Sequence, residues 1–432
     1  MTFRSWGNYP KIKNSAFRFN ENKKLKTIIC EQKELIAYGN GRSYGDSALN
    51  KNIIHTRPHN LFLNFDEKKG LLHIQAGVLL SEILDIFVPR GWFLKVTPGT
   101  KLITIGGAIA SDVHGKNHHV EGCFSECVNM LNLMLPDGKI IQCSKHQNSE
   151  LFRATCGGMG LTGIIIDARI SLRKIHSKFI DQTTIKTKNL KETFEAFEQY
   201  REKPYTVAWI DCFAKDDNIG KCLLMVGDFC NDDQLEYTPK KNFNIPMNFP
   251  SFVLNTLSIK AFNRLYYGRT KKRLVRQKVN IDAFFYPLDA INNWNRIYGK
   301  NGFIQYQFIL PKKSSFSGLN EMLRSISDSG RGSFLAVLKL YGPANDNYLS
   351  FPMEGYSLAL DFKIEKGLFQ FLDKLDEIVL SHGGRIYLAK DARVSKKIFE
   401  QGYPGIDKFR ALRKEYSMDE KFNSLQSKRI GI

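Results

Sequence analysis

The chain has no long apolar run. Nowhere in its 432 residues do about 18 apolar side chains follow one another, the length a membrane-crossing helix requires. Its first residues, Met1-Thr-Phe-Arg-Ser-Trp-Gly7, hold neither the apolar stretch nor the small-residue cleavage site of a secretory leader. A cytoplasmic protein is therefore expected, at most peripheral on the inner face of the plasma membrane. Cysteine is unorganised: Cys30, Cys123, Cys127, Cys143, Cys156, Cys212, Cys222 and Cys230 follow no framework spacing, so reduced thiols are expected. Internal repeats and low-complexity tracts are missing. So are paired glycosidase-type carboxylates, a G-x-S-x-G elbow, a Walker loop and H-E-x-x-H. Hydrolysis and phosphoryl transfer lose ground with them.

What is present is enzyme-sized. A chain of this length accommodates two or three domains of ~100 to 200 residues. With 43% hydrophobic and 25% charged residues it matches the globular average, which excludes a disordered or collagen-like chain. Lys and Arg number 63 against 43 Asp and Glu, a formal charge of +20 that implies an anionic partner such as phosphate, nucleic acid or lipid headgroups. The surplus is uneven. Between Thr238 and Ile281 stand Lys240, Lys241, Lys260, Arg264, Arg269, Lys271, Lys272, Arg273, Arg276 and Lys278, and no acid. From 251 to 269 the spacing predicts a helix with Leu254, Leu257, Ala261 and Leu265 along one side. Basic and amphipathic together suit a membrane surface; a solvated lid or linker is the plainer reading.

From Leu35 to Ile170 short β-runs alternate with glycine turns. Leu35–Tyr38 reads as a strand, Leu79–Phe87 as a helix, and Leu131–Leu135 with Lys139–Cys143 as a hairpin around Pro136-Asp-Gly138. Further on, helices are predicted over 190–201 and 369–381, among strands near 207–211, 302–310, 334–341 and 357–362 that could form one antiparallel sheet.

Gly158-Met-Gly-Leu-Thr-Gly163 fits G-x-G-x-x-G, but a helix-like Ser149–Thr155 precedes it and Ile164-Ile-Ile166 follows, the reverse of a dinucleotide fingerprint. Gly39-Asn-Gly-Arg-Ser-Tyr-Gly45 and Pro98-Gly-Thr-Lys-Leu-Ile-Thr-Ile-Gly-Gly107 offer backbone amides in turns open to an anion. A pyrophosphate held by several loops is expected rather than one at a helix terminus. His114, His118, Cys123 and Cys127 approach a zinc ligand count, but four residues between His118 and Cys123 are few for a tetrahedral knuckle. A ligand-binding loop is the better reading, and no metal is expected.

Taken in order, Gly39–Asp46, Gln75-Ala-Gly77, Pro98-Gly99, Gly106-Gly107, His114-Gly-Lys-Asn-His-His119 and Gly157–Gly163 resemble the FAD-binding domain of vanillyl-alcohol-oxidase-type flavoproteins. Phe284–Asp289, Gln305-Tyr-Gln-Phe308, Lys339-Leu-Tyr-Gly342 and Gly384–Asp391 extend the resemblance to the polyprenylphosphoryl-ribose 2′-oxidase family, over nearly the whole chain. It implies a two-domain α+β fold, with an FAD-binding domain over 1–178 completed by 386–432 and a substrate domain over 179–385 that carries the basic segment 238–281. It implies FAD against Tyr38, Gly39, Asn40, Gly41, Arg42, Ser43, Tyr44, Gly45, Asp46, Gly99, Thr104, Ile105, Gly106, Gly107, Ser111, Asp112, His114, Ile165 and Tyr387. Covalent relatives attach the flavin to a histidine where this chain has Arg42, so non-covalent FAD is expected. Lys390, His114 and Tyr44 are the implied catalytic residues; Gln307, Lys339, Tyr341 and Ser357 would meet the substrate. Mycobacterial members have Asn at Ser357 and Cys at Ala359, so the wall is smaller and less polar here.

The implied reaction is oxidation of a lipid-linked pentofuranose 2′-hydroxyl to a ketone, which an NAD(P)H-dependent short-chain reductase returns inverted. The lipid-linked sugar phosphate and a peripheral membrane contact, not nucleic acid, would then account for the basic surplus. Chemistry agrees at two points. A carbinol proton must leave, and a buried Lys or a neutral His can accept it; Lys390 is a candidate unless it merely pairs with Asp391 or Asp361. A sugar phosphate on a lipid tail calls for cations and an apolar approach, which 238–281 offers. Two rivals are a soluble aldonolactone or alditol oxidase using oxygen, and a non-catalytic basic binding module.

Overall fold

A computed structural model describes residues 3–238, 242–250 and 252–432. Lys240 and Lys241, two of the ten cations of the basic segment, lie outside the described residues. The first half is organised around the strand Ile164–Lys174, whose alternation of Ile166, Ala168, Ile170 and Leu172 with Asp167, Arg169 and Ser171 gives it one buried face. Leu71–Gln75 pairs on one side of it and Val128–Met134 on the other, both antiparallel, with Trp92–Leu94 at its end. Val128–Met134 and Ile140–Cys143 form the expected hairpin, and Gly138, at φ +78°, makes its turn. A small parallel sheet of Ser15–Phe17, Asn52–His55 and Ile36–Tyr38 lies at the start of the chain. Leu80–Phe87 is helical, its Leu79 N–H capped by Glu82 Oε2 at 2.8 Å.

The strands of the middle of the chain do form one antiparallel sheet, larger than expected. Across it run Leu274–Asn280, Phe179–Thr187, Cys222–Phe229, Tyr205–Ile210, Ala336–Tyr341, Gly355–Lys363, Phe303–Pro311 and Arg385–Ile386. Period-two alternation sorts their side chains. Leu338, Leu340, Leu358, Leu360 and Phe308 are buried in the core. Leu190–Gln199, Lys312–Ser329 and Leu368–Ser381 pack along the sheet as a layer of helices. Gln305, Gln307, Lys339, Ser357, Val337 and Ala359 line a cavity on the other face.

The C-terminal helices Ile406–Glu415 and Leu425–Ile430 return to the first half. Leu35 bridges to Phe422, and the buried Arg413 donates to the carbonyls of Leu161 and Phe422. Arg429 reaches both Asp46 and Asp391 at 2.8 Å.

The basic segment holds a shorter helix than the spacing predicts, and a strand besides. Its helix is Thr256–Gly268, capped by Asn255, and Leu274–Asn280 is an edge strand of the large sheet, pairing with Phe179–Thr187. The Leu stripe does not face the core: Leu257 is 79% and Leu265 75% exposed, while Asn263 is buried and donates to Asp211.

Candidate active site

A cavity of about 540 Å³ lies between the glycine loops and the open face of the large sheet. On one wall stand the loop from Gly39 to Gly45, Gly99, Thr104, Gly106 and Gly107, Ser111, Met159, Gly160 and Ile165. The loops are shaped from within. Gly41 sits at φ +63°, where a Cβ would strike the Tyr38 hydroxyl, and Asn40 Nδ2 donates to Leu102 O at 2.7 Å. Thr104 caps the helix Ile105–Ala110 by accepting from Gly107 N–H at 3.1 Å. At Gly99 an added Cβ would meet nothing within 4 Å, so the backbone there borders open space. Arg42 lies 4.0 Å from the centroid of Trp6, and its buried Nε has no partner. Open backbone, small residues and an unpaired guanidinium nitrogen fit a dinucleotide phosphate.

Opposite stand the titratable groups. Lys390 sits in a turn closed by its own N–H to Tyr387 O and by Asp391 N–H to the same oxygen, at 3.0 and 3.1 Å. It does not take the salt bridge open to it in the sequence. Asp391 accepts from the backbone of Arg393 and Val394 and pairs with Arg429, while Asp361 accepts from Gln305 at 2.7 Å and Tyr298 at 3.3 Å. The ammonium of Lys390 instead lies 3.8 Å from the Tyr44 ring centroid. Burial lowers its pKa to about 7, opposed by Asp361 and assisted by Lys339. Burial raises Asp361 to about 7 as well. The backbone N–H of Tyr44 donates to Ala389 O at 3.1 Å, which ties the glycine loop to the lysine turn.

His114 is 5% exposed, with its ring among Tyr341, Phe351 and Tyr387. Burial, with Lys339, His118 and Lys390 nearby, holds it well below the usual imidazole range, so it is neutral at pH 7. Its Nε2 lies 3.3 Å from Gln307 Nε2, which also donates to Ser357 Oγ at 3.3 Å.

The structure therefore brings most of the expected residues to one cavity, with four exceptions. Asp46 turns away to pair with Arg429. Ile105 is fully buried as the first residue of its helix. Asp112 accepts from Ser125 N–H, Asn345, Asn347 and Ser350, which makes it a tie between loops. Tyr341 packs behind His114 and His118 rather than into the cavity. Of the four residues near a zinc count, His118 and Cys123 are 3.4 Å apart and His118 Nδ1 accepts from Gly342 N–H. Among the described residues no group of three His, Cys, Asp or Glu is placed to hold a metal.

Sequence reasoning missed cavity residues too. Lys116, inside the His-Gly-Lys-Asn-His-His string, was visible but unassigned. Trp6, Trp209 and Asp289 also line the cavity. Asp289 accepts from Thr100 Oγ1 and Lys101 N–H at 2.7 Å each and is the carboxylate nearest in influence to Arg42.

Residues 24–144 match the family profile described as an FAD binding domain, and these include both glycine loops of the cradle. The fold and site define an FAD-dependent oxidoreductase. The chain is 36% identical over 413 residues to the decaprenylphosphoryl-beta-D-ribose oxidase of Mycolicibacterium smegmatis, covering 92% of this chain and 89% of that one, and it belongs to that enzyme's family. It is 25% identical over 370 residues to an uncharacterised Streptomyces coelicolor protein, covering 82% of this chain and all of the other. Mouse L-gulonolactone oxidase is 27% identical over 191 residues, 44% of this chain and 40% of its own.

Proposed function

We propose that the protein oxidises the 2′-hydroxyl of a polyprenylphosphoryl pentofuranose to the 2′-ketone, as the oxidase half of an epimerase that converts ribose to arabinose configuration. An NAD(P)H-dependent short-chain reductase would supply the second half. The observation that carries this reading is one cavity with the glycine loops on one wall and Lys390, His114, Gln307 and Ser357 opposite.

FAD fits the cradle of Gly41, Gly99 and Gly107 and, when bound, supplies a two-electron acceptor for the carbon-bound hydrogen. Lys390, with a pKa of about 7, is half neutral at pH 7 and takes the hydroxyl proton on Nζ. Neutral His114 and Gln307, 3.3 Å apart, orient the furanose hydroxyls, and Ser357 extends that polar edge. Tyr44 holds the lysine by its ring face and through the Tyr44–Ala389 backbone bond. Arg42 stands where covalent relatives attach the flavin, and it has no nucleophile to offer, so FAD is bound non-covalently.

No helix among the described residues is long and apolar enough to cross a membrane. The exposed Phe252, Leu257, Phe262 and Leu265 lie among Lys260, Arg264 and Arg269, which supports peripheral binding of this cytoplasmic protein to an anionic membrane. Nucleic acid has no part in this reading.

Product analysis tests it. The purified holoprotein, given farnesylphosphoryl ribose, should bleach its flavin and form the 2′-ketone, and adding the reductase should yield the arabino epimer. Oxidation of free aldonolactones with no turnover of the phosphoryl pentose would refute it.

A further inference from the structure

Three lysines face the cavity; Lys390 is the base of the oxidation reading, and Lys116 and Lys339 have no step in it. The position of Lys116 is built. Thr206 N–H donates to Lys116 O at 2.8 Å, and the Lys116 ammonium donates to Phe284 O and lies 4.7 Å from the Phe284 ring centroid. One carbonyl satisfies one of three N–H groups, so two remain for a ligand. Lys339, on the cavity face of the sheet in the strand next to that of Thr206, has no side-chain hydrogen-bond or ion-pair partner among the described residues. Burial and the charge of Lys339 lower Lys116 to about 7, and burial lowers Lys339 to about 8, the signature of two enclosed amines with no acid beside them. Asp361 acts on Lys390 and is already held by Gln305 and Tyr298, and no carboxylate offsets the burial of Lys116 or Lys339. Enclosed cations without a counter-ion are costly unless the ligand brings one.

The surroundings say what is attached to that anion. Beyond Lys339 the same sheet face continues through Trp209, Val207 and Met225, then past the paired Gln182 and Gln277 to Val279, in strands that pair in sequence from the centre of the sheet to its edge; it is apolar next to Lys339 and mixed near the edge. This apolar strip leads toward Tyr266 and Arg269 on the helix whose Leu257 and Leu265 are exposed.

We propose that Lys116 and Lys339 form a phosphate subsite for the phosphodiester joining sugar to lipid, with the apolar strip as the path of the first isoprene units, and that this pair makes the enzyme prefer phosphoryl-linked over neutral pentosides. The inference rests on the substrate reading above. The pyrophosphate of FAD is the other phosphate in reach, but its cradle of Gly41, Gly99 and Gly107 lies on the opposite wall.

The test uses the holoenzyme with two probes. Methyl farnesyl phosphate, a phosphodiester with fixed charge and no sugar, should perturb the flavin spectrum and bind roughly 10- to 100-fold more weakly to Lys116→Met, the scale of a lost charged hydrogen bond; Lys116→Arg should recover most of it. The ratio of kcat/KM for farnesylphosphoryl ribose to that for methyl ribofuranoside should fall by the same factor. Equal losses on the two sugars, or loss of FAD from the variant, overturn the proposal. If Lys116→Met does not fold, the unaltered holoenzyme still decides: equal affinity for methyl farnesyl phosphate and for the neutral farnesyl methyl ether overturns it. The sugar-free arm holds even if the oxidation reading fails, because it measures anion binding and not turnover.

Discussion

The rate at which substrate bleaches the flavin should rise with pH through about 7 and lose that dependence in Lys390→Ala. Lys390 acts as a base only when neutral, and burial places its pKa at about 7. The neutral fraction is then about 9% at pH 6 and about 91% at pH 8, a rise of roughly tenfold across two pH units. Asp361 opposes the depression, so Asp361→Asn removes the charge that favours the ammonium. The midpoint in that variant should move to lower pH, by about one unit for the loss of one nearby opposite charge. Lys390→Ala should lower the plateau by on the order of 10² or more while the protein keeps its flavin, since Lys390 faces the substrate side of the cavity. Anaerobic stopped-flow at saturating farnesylphosphoryl ribose, from pH 5.5 to 9, reads the parent and both variants directly. A flat profile for the parent, or an upward shift in Asp361→Asn, would refute the assignment of Lys390 as base. An unchanged reduction rate in Lys390→Ala would make the lysine only a packing partner of the Tyr44 ring.

On the proposed non-covalent binding, with Arg42 at the attachment position of covalent relatives, acid precipitation should release the yellow colour into the supernatant; colour retained in the pellet would contradict this. Replacing Lys271, Lys272, Arg273 and Arg276 by Gln should weaken sedimentation with anionic vesicles by up to about 4 kcal/mol at low salt, at roughly 1 kcal/mol per charge, and binding equal to the parent would remove the membrane reading. Leu257→Asp with Leu265→Asp should weaken vesicle binding without lowering the thermal midpoint, since both side chains are exposed. Arg429→Met leaves the buried carboxylates of Asp46 and Asp391 without their cation and should cost about 3 kcal/mol or more in denaturant titration.

The legibility of this molecule in its sequence follows where side chains are forced to be. The hairpin at Pro136-Asp-Gly138 and the strands near 305, 337 and 358 were readable because turn chemistry and apolar alternation are local signals. Leu274–Asn280 was not, since an edge strand needs only one weakly covered face. Arg276 and Lys278, which hide its alternation, are the charges that keep such an edge from pairing with another chain. Of the expected stripe, Leu257, Ala261 and Leu265 lie on the basic helix and Leu254 precedes it, and periodicity states only that a face is apolar and not what covers it. Here the protein covers the other face, through Asn263 and the tilted ring contact of Tyr266 with Trp209.

The site shows the same division. Lys390, His114 and Gln307 stood in strings that marked them, but the sequence could not separate Asp112 and Asp46 from residues that face the cavity, because both kinds sit one or two positions apart on the same loops. Asp112 ties the loop before His114 to 345–350, and Asp46 ties the glycine loop through Arg429 to Asp391, the neighbour of Lys390. These carboxylates keep two distant segments in register across a wall built mostly of backbone. That explains their adjacency to the chemistry: a cradle built largely of glycine has few side chains beyond Asn40 and Thr104 to hold its shape, so buried ionic ties reinforce it from behind.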